Sequence, residues 1–144
     1  MIGRARRFFA LPRNERFATA EAIATLTIVF LVLKTLPFAA AMRVFRLRAG
    51  DDLAPFPIDA TRARIVARAV GRAARNLPFR AVCLPQAAAA AMMLRRRGLP
   101  AEVRFGVAKR DGEVTAHAWS RSGTVPVTGM EGAGEFIQVA RYAI

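Results

Sequence analysis

Apolar positions follow a helical period over the first two thirds of the chain and alternate over the last third. Residues 13–35 are rich in Ala, Leu and Ile and contain no Gly or Pro, which predicts one long helix. Pro37 suits the first turn of a second, short helix to about Arg48, because the N–H it lacks would have no partner there. The run Gly50-Asp51-Asp52-Leu53-Ala54-Pro55-Phe56-Pro57 changes composition and carries two prolines. It is expected to divide an N-terminal helical region, 1–50, used for partner docking or as a core cover, from a core of 51–144. Asp59 or Thr61 then caps a helix to about Asn76 with Ile65, Val66, Ala69, Val70 and Ala73 on its apolar face. Arg64, Arg68, Arg72 and Arg75 form a basic stripe on another face, which is either a solvated surface or a grip for an acidic ligand.

After a bend at Leu77-Pro78-Phe79, a helix is expected from Leu84 to about Arg97, with Pro85 in its first turn and an alanine-rich body. Ala87 to Ala91 would let a neighbouring sheet approach closely. Arg95, Arg96 and Arg97 suit the negative end of the helix dipole, and Gly98 and Pro100 stop the helix. From Ala101 to Val107, Val103, Phe105 and Val107 alternate with Glu102, Arg104 and Gly106, predicting a strand. Asp111-Gly112 is a hairpin turn. A second strand, Glu113 to Trp119, puts Val114, Ala116 and Ala118 on one face and Thr115, His117 and Trp119 on the other. A third strand, Thr124 to Thr128, is expected at an edge because Pro126 cannot donate to a ladder. Glu135 to Ile144 carries no clear assignment.

The chain has 144 residues, 54% of them hydrophobic, enough for one domain with a real core and too apolar for general disorder. One cysteine excludes an internal disulfide, and one Cys with one His is too few for a structural zinc site, so no cofactor is expected. The net charge of +13 is uneven: residues 1–80 carry +10 and residues 81–144 carry +3. An arginine-rich half suits an anionic partner. Nucleic acid is not the expected one, because the aromatic residues are few and not interleaved with the arginines. Ala22 to Leu33 is an uncharged run of 12 residues, short of the roughly 18 that a membrane span requires. Arg13, Glu15, Arg16 and Glu21 separate it from the N-terminal arginines, unlike a signal peptide. It reads as a buried or partner-facing helix in a cytoplasmic bacterial protein, with membrane association the less favoured alternative.

The only cysteine, Cys83, precedes a helix, and the only histidine, His117, follows on a strand. A thiol attacks as thiolate, which a helix N-terminus and a nearby imidazolium both favour. The alternative reading is a small buried hydrophobe and a half-buried strand histidine.

Several elements recur together: Leu77-Pro78-Phe79-Arg80, Cys83-Leu84-Pro85-Gln86-Ala87, Leu94-Arg95-Arg96-Arg97-Gly98-Leu99-Pro100-Ala101, Phe105-Gly106-Val107, Ala116-His117-Ala118-Trp119, Gly123 and Pro126-Val127-Thr128-Gly129. Over roughly residues 77–130 this wording resembles the leader peptidases of lasso-peptide biosynthesis, a branch of the transglutaminase-like superfamily. The resemblance implies an α+β fold: N-terminal helices, then a transglutaminase/papain-like core with the catalytic helix packed on a small antiparallel sheet. It implies a cysteine protease that cuts the leader from a ribosomally made precursor before ring closure, with Cys83 as nucleophile and His117 as general base and then acid. The family's aspartate would fall at Thr128 or Gly129, and no Asp follows His117 here. Glu131, Thr128 or a main-chain carbonyl therefore orients the imidazole, or the pair acts as a dyad. Gln86 either donates to an oxyanion or is a surface amide. Trp119 shields the pair from water or fills the core, and Arg80 binds a substrate carboxylate or a main-chain carbonyl. The implied partners are the precursor peptide (leader and core), a separate small leader-recognition protein and an ATP-dependent lasso cyclase. The contrasting reading is a catalytically silent, basic peptide-binding module in the same maturation complex.

Overall fold

The computed structural model describes residues 2–50 and 58–144. Apart from Gly50, the boundary expected at 50–57 lies outside the described residues. A first helix, α1 (Ile2–Phe9), buries no residue, and α2 (Arg13–Thr35) is the long helix the apolar pattern predicts. Ala18, Ala22, Leu26 and Val29 lie on one face of α2, at most 1% exposed. That stripe packs on α4 (Ala60–Asn76) and α5 (Cys83–Arg96). Burying Leu26 and Val29 contributes about 1.5–3 kcal/mol each. By length and composition alone α2 is able to cross a membrane, yet here one of its faces is core.

Charge fixes how α2 lies on its neighbours. Glu15, buried at the start of α2, pairs with Arg68 and with Arg72 of α4, the latter at 2.6 Å. Two members of the basic stripe thus grip a carboxylate of the same chain. Glu21 takes Arg96 at 2.9 Å and Arg97 at 2.7 Å, so the arginines at the end of α5 fasten that end to α2.

The helix opened by Pro37, α3 (Phe38–Val44), stops before Arg48. Arg46 takes a positive φ of 58°, and the Leu47 N–H returns to the Met42 carbonyl at 2.9 Å. This frees the next residues to extend as β1 (Arg48–Ala49), which pairs with the last strand of the chain. Asp59 caps α4 by accepting from the Arg62 N–H at 3.1 Å.

Four further strands, β2 (Glu102–Arg110), β3 (Glu113–Ser122), β4 (Val125–Thr128) and β5 (Ile137–Ala143), complete an antiparallel sheet ordered β1-β5-β2-β3-β4. Asp111 and Gly112, at φ 50° and 81°, make the β2–β3 turn. Pro126 lies on the edge strand β4, as expected. The unassigned C-terminal stretch is an inner strand, inserted between β1 and β2 with a register shift at Phe105/Gly106. Val103 and Ala118 join the core with the fully buried Ala87–Ala91 of α5. Phe38 of α3 meets Phe105 and Tyr142 edge-on over the same face. The architecture is α+β, with helices leading into a small antiparallel sheet that carries α5. The segment 1–50 supplies both a helix of that core and an edge strand of that sheet.

Candidate active site

Cys83 is the first residue of α5, one position further into the helix than the pattern suggested, and is half-buried. Its approach is pinned at two points. The Phe79 ring stacks on Phe30 of α2 with centroids 4.2 Å apart. The Gln86 side chain, one turn into α5, donates Nε2–H to the Ala81 carbonyl at 2.6 Å. Val82 caps α5 without a side-chain bond. Pro85 has no N–H, and the Gln86 N–H is taken by the Val82 carbonyl at 3.3 Å. The N–H groups of Cys83 and Leu84 are left without an intrahelical acceptor, as the first donors of any helix are.

His117 stands on β3 opposite Gly106, half-buried. Its Nε2 lies 2.6 Å from the Gly129 carbonyl. A carbonyl only accepts, so Nε2 carries the proton and Nδ1 presents its lone pair. β4 ends at Thr128, paired with Ser120, and Gly129 then turns with φ 65°. A Cβ at residue 129 would come within 2.6 Å of the Ala118 carbonyl and 3.2 Å of the imidazole, so the turn requires glycine. Phe136 packs against the imidazole at 5.1 Å, and Trp119 stacks beside it at 5.9 Å. Gly106 makes room for both, since a Cβ there would meet the Trp119 ring at 2.9 Å and Phe136 Cβ at 2.8 Å.

The remaining sequence candidates occupy definite places. Thr128 Oγ1 bonds Ser120 Oγ at 2.7 Å in the interior, where alternation along β3 puts it on the face opposite His117. Glu131 is exposed, with no partner among the described residues. Trp119 is 5% exposed and flanks the imidazole, so it both fills space and excludes water. Gln86 spends one amide hydrogen on Ala81, and Arg80 is exposed. Sequence reasoning missed Phe136, which precedes the unassigned strand and has no local motif. Among the described residues no group of three or more His, Cys, Asp or Glu gathers to hold a metal ion.

Cys83 opens the helix that packs on the face of β3 carrying Ala118, and alternation along β3 puts His117 on the other face. The 14 residues of α5 rise about 21 Å, and the short link at 97–101 turns the chain back along β2. The same length covers roughly six residues of strand, to the neighbourhood of Ala108. Ala108 pairs with Thr115, two positions from His117 along β3. At His117 the short β4 has already ended, and the Gly129 turn and Phe136 border that part of β3. Among the described residues no hydrogen bond joins the thiol to the imidazole, and the polar contact of the ring is Gly129.

Residues 26–141 match the family model described as transglutaminase-like superfamily. Neither a curated protein nor a solved structure matches the chain. The match runs from the middle of α2 through β5, and so takes in the helix that begins at Cys83, the strand that carries His117 and the glycine turn that holds its ring. On that match, the chain belongs to the transglutaminase-like superfamily.

Proposed function

We propose that this protein is a cysteine peptidase that removes the leader from a lasso-precursor peptide in the bacterial cytoplasm. The observation that carries the reading is the bond from His117 Nε2 to the Gly129 carbonyl, which leaves Nδ1 as the basic nitrogen. Cys83 Sγ gives its proton to Nδ1 and attacks the scissile carbonyl. In this reading the thiol and the imidazole come together only when substrate is bound. The oxyanion is received by the N–H groups of Cys83 and Leu84. His117 returns the proton to the departing amine, and water then hydrolyses the thioester, regenerating the thiol. The Gly129 carbonyl accepts a stronger bond from the imidazolium than from the neutral ring, doing with a dipole what a carboxylate does elsewhere. The freed amine becomes the substrate of an ATP-dependent cyclase, and a small recognition protein delivers the precursor.

One observation favours the second reading, a silent basic peptide-binding module: the imidazole is held by a neutral carbonyl and by no carboxylate among the described residues. The test is incubation with precursor and recognition protein, with leader release followed by mass spectrometry. Release by the wild type, lost in Cys83→Ala and in His117→Ala, supports the peptidase. Binding of the precursor without release by any of the three supports the silent module.

A further inference from the structure

Three helices meet in a basic groove on the N-terminal side of the molecule. Arg4, Arg7 and Phe8 of α1, with Leu11 just beyond it, form one wall, and Arg72, Arg75 and Asn76 of α4 form the other. Thr19 and Ile23 of α2 form the floor, around a cavity of about 870 Å³. Arg4 is three and four residues from Arg7 and Phe8, Thr19 four from Ile23, and Arg72 three and four from Arg75 and Asn76, so each set shares one helical face. Thr19 and Asn76 already bond main-chain carbonyls, and Arg72 is paired with Glu15 at 2.6 Å. Arg4, Arg7 and Arg75 are different. They are exposed, line the groove, and have no carboxylate partner among the described residues.

We infer that this groove is an exosite for an acidic segment of the peptide substrate, its carboxylates on the arginines and its apolar side chains on Phe8, Leu11 and Ile23. The inference rests on the peptidase reading for the identity of the occupant. Unpaired guanidiniums on opposite walls match carboxylates spaced along an extended chain, each a charge-assisted bond. A concave site with an apolar floor suits a peptide better than the flat surface of an anionic bilayer. Location ties the groove to the chemistry. Asn76 lines it and Cys83 follows seven residues later, a span of at most about 25 Å fully extended. A peptide of similar length reaches from one to the other.

The test uses the full chain carrying Cys83→Ala and a fluorescein-labelled peptide of alternating aspartate and leucine, followed by anisotropy. Saturable binding is expected, weakened about tenfold or more by Arg75→Glu and by the pair Arg4→Glu with Arg7→Glu, as loss of a charged hydrogen bond predicts. Arg43→Glu, a reversal on α3 outside the groove, should leave this binding unchanged. Trp119 fluorescence checks that each variant is folded. With Cys83 restored, the groove reversals should raise KM for the precursor and leave kcat unchanged. Absence of saturable binding, or binding that survives the reversals, overturns the exosite. So does binding that is lost to the reversals only with phosphatidylglycerol vesicles and not with the peptide, which makes the groove a lipid site. Arginine-dependent peptide binding with no precursor cleavage by the wild type keeps the groove as an acidic-peptide site and removes the peptidase reading instead.

Discussion

His117 donates its Nε2 proton to the main-chain oxygen of Gly129 at 2.6 Å, so the base of this site is oriented by the backbone. Gly129→Ala sets a Cβ against the Ala118 carbonyl in a positive-φ turn and pushes the carbonyl off the ring. The expected loss in kcat/KM is about a hundredfold, the usual cost of misplacing a catalytic group by about 1 Å. Kinetics beside a thermal melt separate this from unfolding. Unchanged activity would remove the carbonyl from the mechanism.

Neighbouring polar residues should behave differently. Thr128→Val strips Ser120 Oγ of its buried partner and should cost about 1–2 kcal/mol in denaturant unfolding, with the pH profile of kcat/KM unmoved. Glu131→Gln should change neither quantity. A changed pH profile in Glu131→Gln would show that this carboxylate reaches the imidazole during turnover.

Gly106→Ala drives a methyl group into the Trp119 ring and Phe136 Cβ. Overpacking of this kind costs about 1–3 kcal/mol. Trp119 is the only tryptophan, so a shift in its emission reports the displaced ring directly. An emission spectrum identical to the wild type would contradict the packing described.

Acid should loosen the bond between α2 and α4. The hydrogen bond from Arg68, joined by Arg72, outweighs burial and holds the Glu15 carboxyl below the usual carboxylate range. The unfolded chain therefore binds the proton more readily. The stabilisation is fully present above the unfolded value of about 4.3 and is lost as pH falls through the lower folded value. Because the Arg68 side chain is 50% exposed, the contribution is set at about 1–2 kcal/mol, below that of a fully buried pair. Glu15→Gln should lower Tm at neutral pH and flatten the fall in Tm below about pH 5. Some slope should remain from Glu21: burial acts to raise its carboxyl, but the hydrogen bonds from Arg97 and Arg96 outweigh that and leave it lowered. An acid slope identical in both proteins would exclude Glu15 as its source.

Gln86→Leu should release the Ala81 carbonyl and the bend that leads into Cys83. We expect about a tenfold fall in kcat with KM little changed, as for a positioning residue. Faster amide exchange at residues 79–83 should accompany it. Slower exchange, or none of the expected fall, would remove this role.

The local pattern was enough for several elements whose signals lie close in sequence, though it missed α1. The apolar run of 13–35, the Asp59 cap, the Gly98-Pro100 stop and the Asp111-Gly112 turn all act over a few residues, where propensity and hydrogen-bond geometry decide. The positions of Cys83 and His117 on their elements could likewise be read from the chain. The fate of 137–143 could not, because an inner strand formed from the C-terminus depends on ladders to Arg48–Ala49 and to β2, far away in sequence. Nor could the partner of His117, because a main-chain oxygen exists at every residue and only the turn after β4 aims one at the ring. Phe136, and the meeting of Arg4 and Arg7 with Arg75 across one groove, belong to the same class. Side-chain identity is written in the chain, but which backbone oxygen, which ring and which distant charge it meets is set only when packing brings remote segments together.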